Sequence, residues 1–281
     1  MSFINTNHSK IRKVIKMDIT KYYSIPDEKP LDNIKPDGGF FAIFRKVAVI
    51  GDSLSSGEME SLNEKGEKGY HDYYEYSWGQ YMARAAGCEV LNFSRGGMTA
   101  SEYMDSFAQA NDFFNPEKAC QAYIIALGVN DLCNRHDEIG TVKDIDFNDY
   151  RNNAKTFAGY YAQIIQKYRE ISPKSRVFLM TMVPNDRRPN EIIEAHRSLL
   201  YEIAELFDFT YVLDFCKYAP PHDDTFRRNF YLGGHLNAMG YLLTAQQVMS
   251  YIDFIIRNNT EDFTQTAFIG KGGSYNCEAK W

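Results

Sequence analysis

Several features are missing from this chain, and each absence narrows what it can be. Its five cysteines, Cys88, Cys120, Cys133, Cys216 and Cys277, contain no C-x-x-C pair and are odd in number. A disulfide framework is therefore a poor fit, and reduced thiols in a cytoplasmic protein are the simpler expectation. Clustered basic residues are also absent. Asp and Glu outnumber Lys and Arg, 37 to 31, and Arg187-Arg188 and Arg227-Arg228 are isolated pairs. Binding to a nucleic-acid backbone needs a basic surface that this composition does not supply. No apolar run reaches 18 residues, and residues 1–22 never gather a seven-residue apolar core, so neither a membrane span nor a secretion signal is expected. The six histidines show no i, i+4 pairing and no H-E-x-x-H, so no metal and no cofactor are expected. Internal repeats and low-complexity tracts are missing as well.

What is present is a chain of 281 residues, ample for one large α/β domain. Val47, Ala48, Val49 and Ile50 form a small apolar run that reads as a strand buried on both faces, ending at Gly51-Asp52-Ser53. Further strands are predicted at 88–93, 122–127, 176–182 and 210–215. Helices are predicted between and after them: from a Ser77 cap to Ala86 with Gly87 as stop, from Thr99 or Ser101 to near Asn115-Pro116, over 147–170, over 191–207, and from an Asn237 cap to Arg257. Strands alternating with helices imply right-handed crossovers and a parallel sheet covered on both faces. Three regions follow: an amino-terminal extension, 1–45, wrapped on the domain; the α/β domain, 46–257; and a tail, 258–281, with Trp281 as an anchor. Residues 11–23 suit a short helix or strand, and 55–76 reads as a polar loop.

In a parallel sheet the loops leaving the carboxyl ends of the strands converge at one edge. Ser53, Gly97, Asn130 and His235 all fall in such loops or just before helices. Together they supply what acyl transfer needs: a hydroxyl nucleophile, Ser53, and a base for its proton, His235. The oxyanion needs fixed donors at roughly 2.7–3.1 Å, and the Ser53 and Gly97 N–H groups and the Asn130 amide are the candidates. Each residue also has a plainer reading: Ser53 as a turn serine, Asn130 and Asp131 as caps, His235 as a loop histidine; His71-Asp72 reads as a solvated pair or part of the cleft, and Glu58 as ordinary surface or as lining the pocket. The tyrosines of 70–76 are read either as a lid or as packing ahead of a helix.

The blocks Gly51-Asp52-Ser53-Leu54, Asn92-Phe93-Ser94-Arg95-Gly96-Gly97-Met98-Thr99, Gly128-Val129-Asn130-Asp131 and the His235 segment resemble the four signature blocks of SGNH hydrolases, also called GDSL esterases or lipases. The resemblance covers about residues 46–257. It implies a flavodoxin-like three-layer α/β/α fold with a five-stranded parallel sheet, no metal, and hydrolysis of carboxylic esters or thioesters. By the block match Ser53 is the nucleophile, His235 the base, and Gly97 and Asn130 complete the oxyanion hole.

One position departs from the pattern. The family places an Asp three residues before its histidine, and here that position is Leu232. Losing an orienting carboxylate can lower the rate on the order of 10⁴-fold. Three outcomes are open: a main-chain carbonyl near Leu232 or Gly233 holds the ring, Asp223 or Asp224 serves as third member, or the site is slow or inactive. The expected partner is a small-molecule ester, with a short acyl group such as acetyl on a carbohydrate as the guess by analogy. The alternative is a ligand-binding protein that keeps the pocket without catalysis.

Overall fold

The computed structural model describes residues 18–273. Nine strands are found among them: β1 Lys46–Gly51, β2 Glu58–Leu62, β3 Lys68–Asp72, β4 Glu89–Asn92, β5 Ala122–Ala126, β6 Arg176–Met180, β7 Thr210–Leu213, β8 Tyr231–Leu232 and β9 His235–Leu236. Five make the central sheet in the order β4-β1-β5-β6-β7, with every pairing parallel. With the two small hairpins set aside, this is the doubly wound 2-1-3-4-5 order, and its switch point lies between β1 and β5. The strand order therefore brings the loop after β1 beside the loop after β5.

β1 shows why the sheet is covered on both sides. Its side chains alternate, so Ala48 and Ile50 join one core layer with Tyr123, Ile125, Tyr161 and Ile165. Val47 and Val49 join the other, with Phe41, Phe44, Phe178 and Tyr241. Full burial of residues such as Ile50, Ile124 and Ile165 contributes about 1.5–3 kcal/mol each. Phe41 and Phe44 bring residues ahead of β1 into this core. Glu28 adds a polar tie, pairing with both Nη atoms of Arg257 at 2.6 and 3.0 Å.

The helix signals work as capping chemistry predicts. Ser77 Oγ accepts from Gln80 N–H, Thr99 Oγ1 from Glu102 N–H and Asn237 Oδ1 from Gly240 N–H. The helices they start are Trp78–Ala86, a helical segment 100–110 whose middle, Tyr103–Phe107, is a wide π turn, and Ala238–Asn258.

Three local expectations need correction. The helix expected over 147–170 runs only Phe157–Ile171. Ahead of it Asp146 and Asp149 accept hydrogen bonds from Asn148 and Arg151 N–H, so side chains compete with the helical ladder for the backbone. The helix from Thr99 ends at Ala110 rather than near Asn115, where Asp112 takes a positive φ of 56°. The stretch 55–76 is no simple loop: β2 and β3 pair as an antiparallel hairpin. Of residues 11–23, only 18–23 are described, and Thr20–Tyr22 is a 3-10 turn. Trp281 and Cys277 lie outside the described residues. No helix among the described residues is long and apolar enough to cross a membrane.

Candidate active site

Ser53 opens the short helix Ser53–Ser56 directly after β1. Asp52 caps that helix, its side chain accepting from Leu54 N–H at 3.0 Å while its carbonyl accepts from Ser55 and Ser56. Burial pushes the Asp52 carboxyl up to about 6, against the pull of the Leu54 N–H and of Arg188. As the first helical residue, Ser53 has an N–H with no intrahelical acceptor. Its hydroxyl makes no hydrogen bond to any described residue, and it is half-buried against a cleft of about 310 Å³.

The same cleft is lined by Gly97, Asn130 and His235. Gly97 has φ +73°, a left-handed conformation that side chains avoid, and the space where a Cβ would stand is open. The Asn130 amide is oriented by two contacts. Its Nδ2 donates to the Met98 carbonyl at 3.1 Å, and its Oδ1 accepts from Asn134 Nδ2 at 2.7 Å. One N–H of that amide stays uncommitted. Asp131 acts as a cap from a distance: Oδ1 accepts from Ala100 N–H at 2.7 Å, tying the loop after β5 to the loop that carries Gly97. Its Oδ2 is buried without a partner, and burial pushes this carboxyl up to about 7.

His235 sits in the β8–β9 hairpin, directly across from Leu232, which is 52% exposed. Neither acid of the preceding loop reaches the ring. Asp223 caps the helix Asp224–Phe230 through Phe226 N–H, and Asp224 pairs with Arg227. The carboxylate that does reach the ring is Glu58, whose Oε1 lies 3.1 Å from His235 Nε2, while Nδ1 is buried with no partner. Two residues along the same strand face, Glu60 accepts from Gly234 N–H at 2.9 Å and pairs with Lys68 at 2.7 Å. The β2–β3 hairpin thus holds the histidine turn with two acids placed by the period-two alternation of β2. Glu58 also crosses the second block: a Cβ on Gly96 would meet Glu58 Oε2 at 2.0 Å, so a side chain there would displace this carboxylate.

Burial lowers the His235 pKa from its ordinary value, opposed by Glu60 and Asp72, and burial raises that of Glu58, helped by Asp72 and Asp52. Both partners move toward their neutral forms, and a neutral imidazole is the form that can accept a proton. Tyr70 of β3 meets the His235 ring edge-on at 5.5 Å and is 52% exposed, while Tyr74, also exposed, donates to the Val90 carbonyl at 3.0 Å. His71 and Asp72 lie on β3, where Asp72 accepts from Ser56 Oγ at 2.5 Å.

Of the two readings the sequence leaves open for Glu58, ordinary surface and pocket lining, the second holds. The spacing Glu58-x-Glu60 in a strand was the available signal, but nothing local says which turn those acids face. Among the described residues no group of His, Cys, Asp and Glu has the arrangement of a metal site.

No curated protein sequence matches this one. Solved structures with a similar fold include a family two carbohydrate esterase from Clostridium thermocellum in complex with cellohexaose, 17% identical at a TM-score of 0.51 over 78% of this chain. They include a carbohydrate esterase family 2 enzyme with a carbohydrate binding domain from Corynascus thermopiles (Myceliophthora fergusii), 14% identical at 0.51 over 75% of this chain. A carbohydrate acetylesterase from Sinorhizobium meliloti is 15% identical at 0.52, over 75% of this chain and 99% of that one. The match spans 65% of the Clostridium enzyme and 66% of the Corynascus one. A family model for GDSL-like lipases/acylhydrolases matches residues 49–243, a span that contains all four blocks and the whole cleft. The chain therefore belongs to the GDSL-like lipase/acylhydrolase family of ester hydrolases.

Proposed function

We propose that the protein hydrolyses carboxylic esters through an acyl-enzyme on Ser53. His235, its Nε2–H directed at Glu58, takes the hydroxyl proton on Nδ1, the nitrogen without a partner, as Ser53 Oγ attacks the ester carbonyl. The oxyanion is held by the N–H groups of Ser53 and Gly97 and by the free N–H of the Asn130 amide. The imidazolium returns its proton to the leaving alcohol. Water, deprotonated by the same histidine, then releases the acid and restores Ser53. Glu58 stabilises the imidazolium, the task that the missing Asp performs elsewhere in the family. The observation that carries this reading is that four loops distant in sequence line one cleft with a hydroxyl, an imidazole and the donors for an oxyanion.

A short acyl group, such as acetyl on a carbohydrate, is the substrate class we favour. The cleft is small, the exposed Tyr70 ring against His235 offers a sugar an apolar face, and the named solved relatives are carbohydrate esterases. The unpaired thiols Cys88, Cys120, Cys133 and Cys216 support a reducing, cytoplasmic setting. Turnover of p-nitrophenyl acetate by the purified 281-residue chain tests the class, and we expect Ser53→Ala to abolish it. Equal rates for wild type and variant would return the chain to the second reading, a ligand-binding protein without hydrolysis.

A further inference from the structure

One cation in this site has no ion-pair partner among the described residues. Arg188 follows β6 on the loop 181–189 and lines both the cleft that holds Ser53 and His235 and a smaller space of about 70 Å³ beside it. Its side chain is half-buried and makes no hydrogen bond or ion pair with any described residue. The other buried or half-buried arginines among the described residues all have partners: Arg95 and Glu102, Arg197 and Asp214, Arg227 and Asp186, Arg257 and Glu28, with Arg169 and Arg176 on main-chain carbonyls.

The loop that presents Arg188 is held in place. Arg227 binds Asp186 and also donates to Asn185 Oδ1 at 3.3 Å, His222 N–H donates to the Pro184 carbonyl at 2.8 Å, and Arg188 N–H donates to the Asn185 carbonyl at 3.1 Å. The acids of the cleft are engaged with other groups. Glu58 faces His235, and Asp52 holds Leu54 N–H, close enough for the Arg188 field to act on it but outside ion-pair distance. A guanidinium keeps its charge at every physiological pH and offers a planar fork of donors. Half-buried on an anchored loop beside the nucleophile, it is a preformed receptor for an oxyanion carried by the ligand. A single guanidinium balances a single negative charge, which favours a carboxylate over a dianionic phosphate.

We propose that Arg188 makes this site selective for esters that carry a carboxylate close to the scissile bond. This inference rests on the esterase reading of the same cleft. The carboxylate can belong to the alcohol or to the acyl part, and two substrate pairs separate these: 4-acetoxybenzoate against its methyl ester, and mono-4-nitrophenyl glutarate against 4-nitrophenyl valerate. Each is assayed with wild type, Arg188→Gln and Arg188→Lys, subtracting the rate of Ser53→Ala. In the pair that matches the natural arrangement, the charged-to-neutral ratio of kcat/KM is expected to fall by about tenfold or more in Arg188→Gln, mainly through KM. Arg188→Lys should recover part of that ratio, and added salt should lower the wild-type ratio. Ratios that are the same in wild type and Arg188→Gln for both pairs overturn the role of Arg188 and leave the esterase reading standing. If wild type cleaves no member of either pair faster than Ser53→Ala, both readings fall together.

Discussion

His235 Nε2 lies 3.1 Å from Glu58 Oε1, so this imidazole is paired with a carboxylate from the β2–β3 hairpin instead of one from its own loop. The family's Asp precedes the histidine by three residues, and Leu232 in that place faces largely outward. An acid that acts on an imidazole need only stand beside the ring, and its position in the chain is free.

Removing this partner gives the first prediction. Glu58→Gln keeps the shape and loses the charge, so kcat is expected to fall by up to about 10⁴-fold. The imidazolium also loses its stabilisation, so the acid limb of the kcat/KM profile, already below the ordinary histidine range because His235 is buried, should move to still lower pH. A pH profile with an unmoved acid limb would show that Glu58 only packs against the ring.

Asn130 is expected to act in the transition state. Asn130→Ala should lower kcat by about 10²–10³ with little change in KM, as removal of an oxyanion donor does. Asn134→Ala removes only the contact that orients the amide, leaving the Met98 carbonyl bond, and should have a smaller effect on kcat. A larger loss in Asn134→Ala than in Asn130→Ala would reverse this assignment.

Asp131 offers a test through stability. Its folded pKa, about 7, is raised by burial above the ordinary Asp value, so the folded state holds a proton that the unfolded chain has released. Its contribution is therefore fully present below the unfolded pKa, near 3.9, and is lost as pH rises through about 7. Asn at this position cannot ionise. Relative to wild type, Asp131→Asn should be more stable at pH 8 than at pH 5, measured as urea midpoints at the two pH values.

The tie between the amino-terminal segment and the domain is also open to measurement. Glu28 and Arg257 are both nearly fully buried, and Asp253 shares the guanidinium at 2.8 Å. Glu28→Ala leaves a buried cation with one acid in place of two and should lower stability by up to about 3 kcal/mol. Turnover per folded molecule should not change, because Glu28 lies outside the cleft lining. Urea unfolding alongside the esterase assay separates the two readouts.

The elements of the sheet were legible because their signals are local. A buried strand declares itself in Val47 to Ile50, a cap in Ser77 or Asn237, a helix stop in Gly87, and the alternation of strands and helices implies a parallel sheet whose loops meet at one edge. Ser53, Gly97, Asn130 and His235 could be named for the same reason, since each sits in a short block with its own spacing. Where side chains compete for the backbone, as Asp146 and Asp149 do, the helical pattern before Phe157 was misleading.

By itself, then, the order of residues along the chain settled the layered architecture, the family blocks and the four loops that carry them, because periodicity, capping and short motifs act over a few neighbours. Only the tertiary structure decided what faces what. Glu58 and Glu60 meet the His235 turn, Asp131 ties two loops together, and Arg188 is left without an ion-pair partner among the described residues. Such contacts depend on how a hairpin folds back over a sheet edge and on which groups lose water when it does, and no local pattern encodes that.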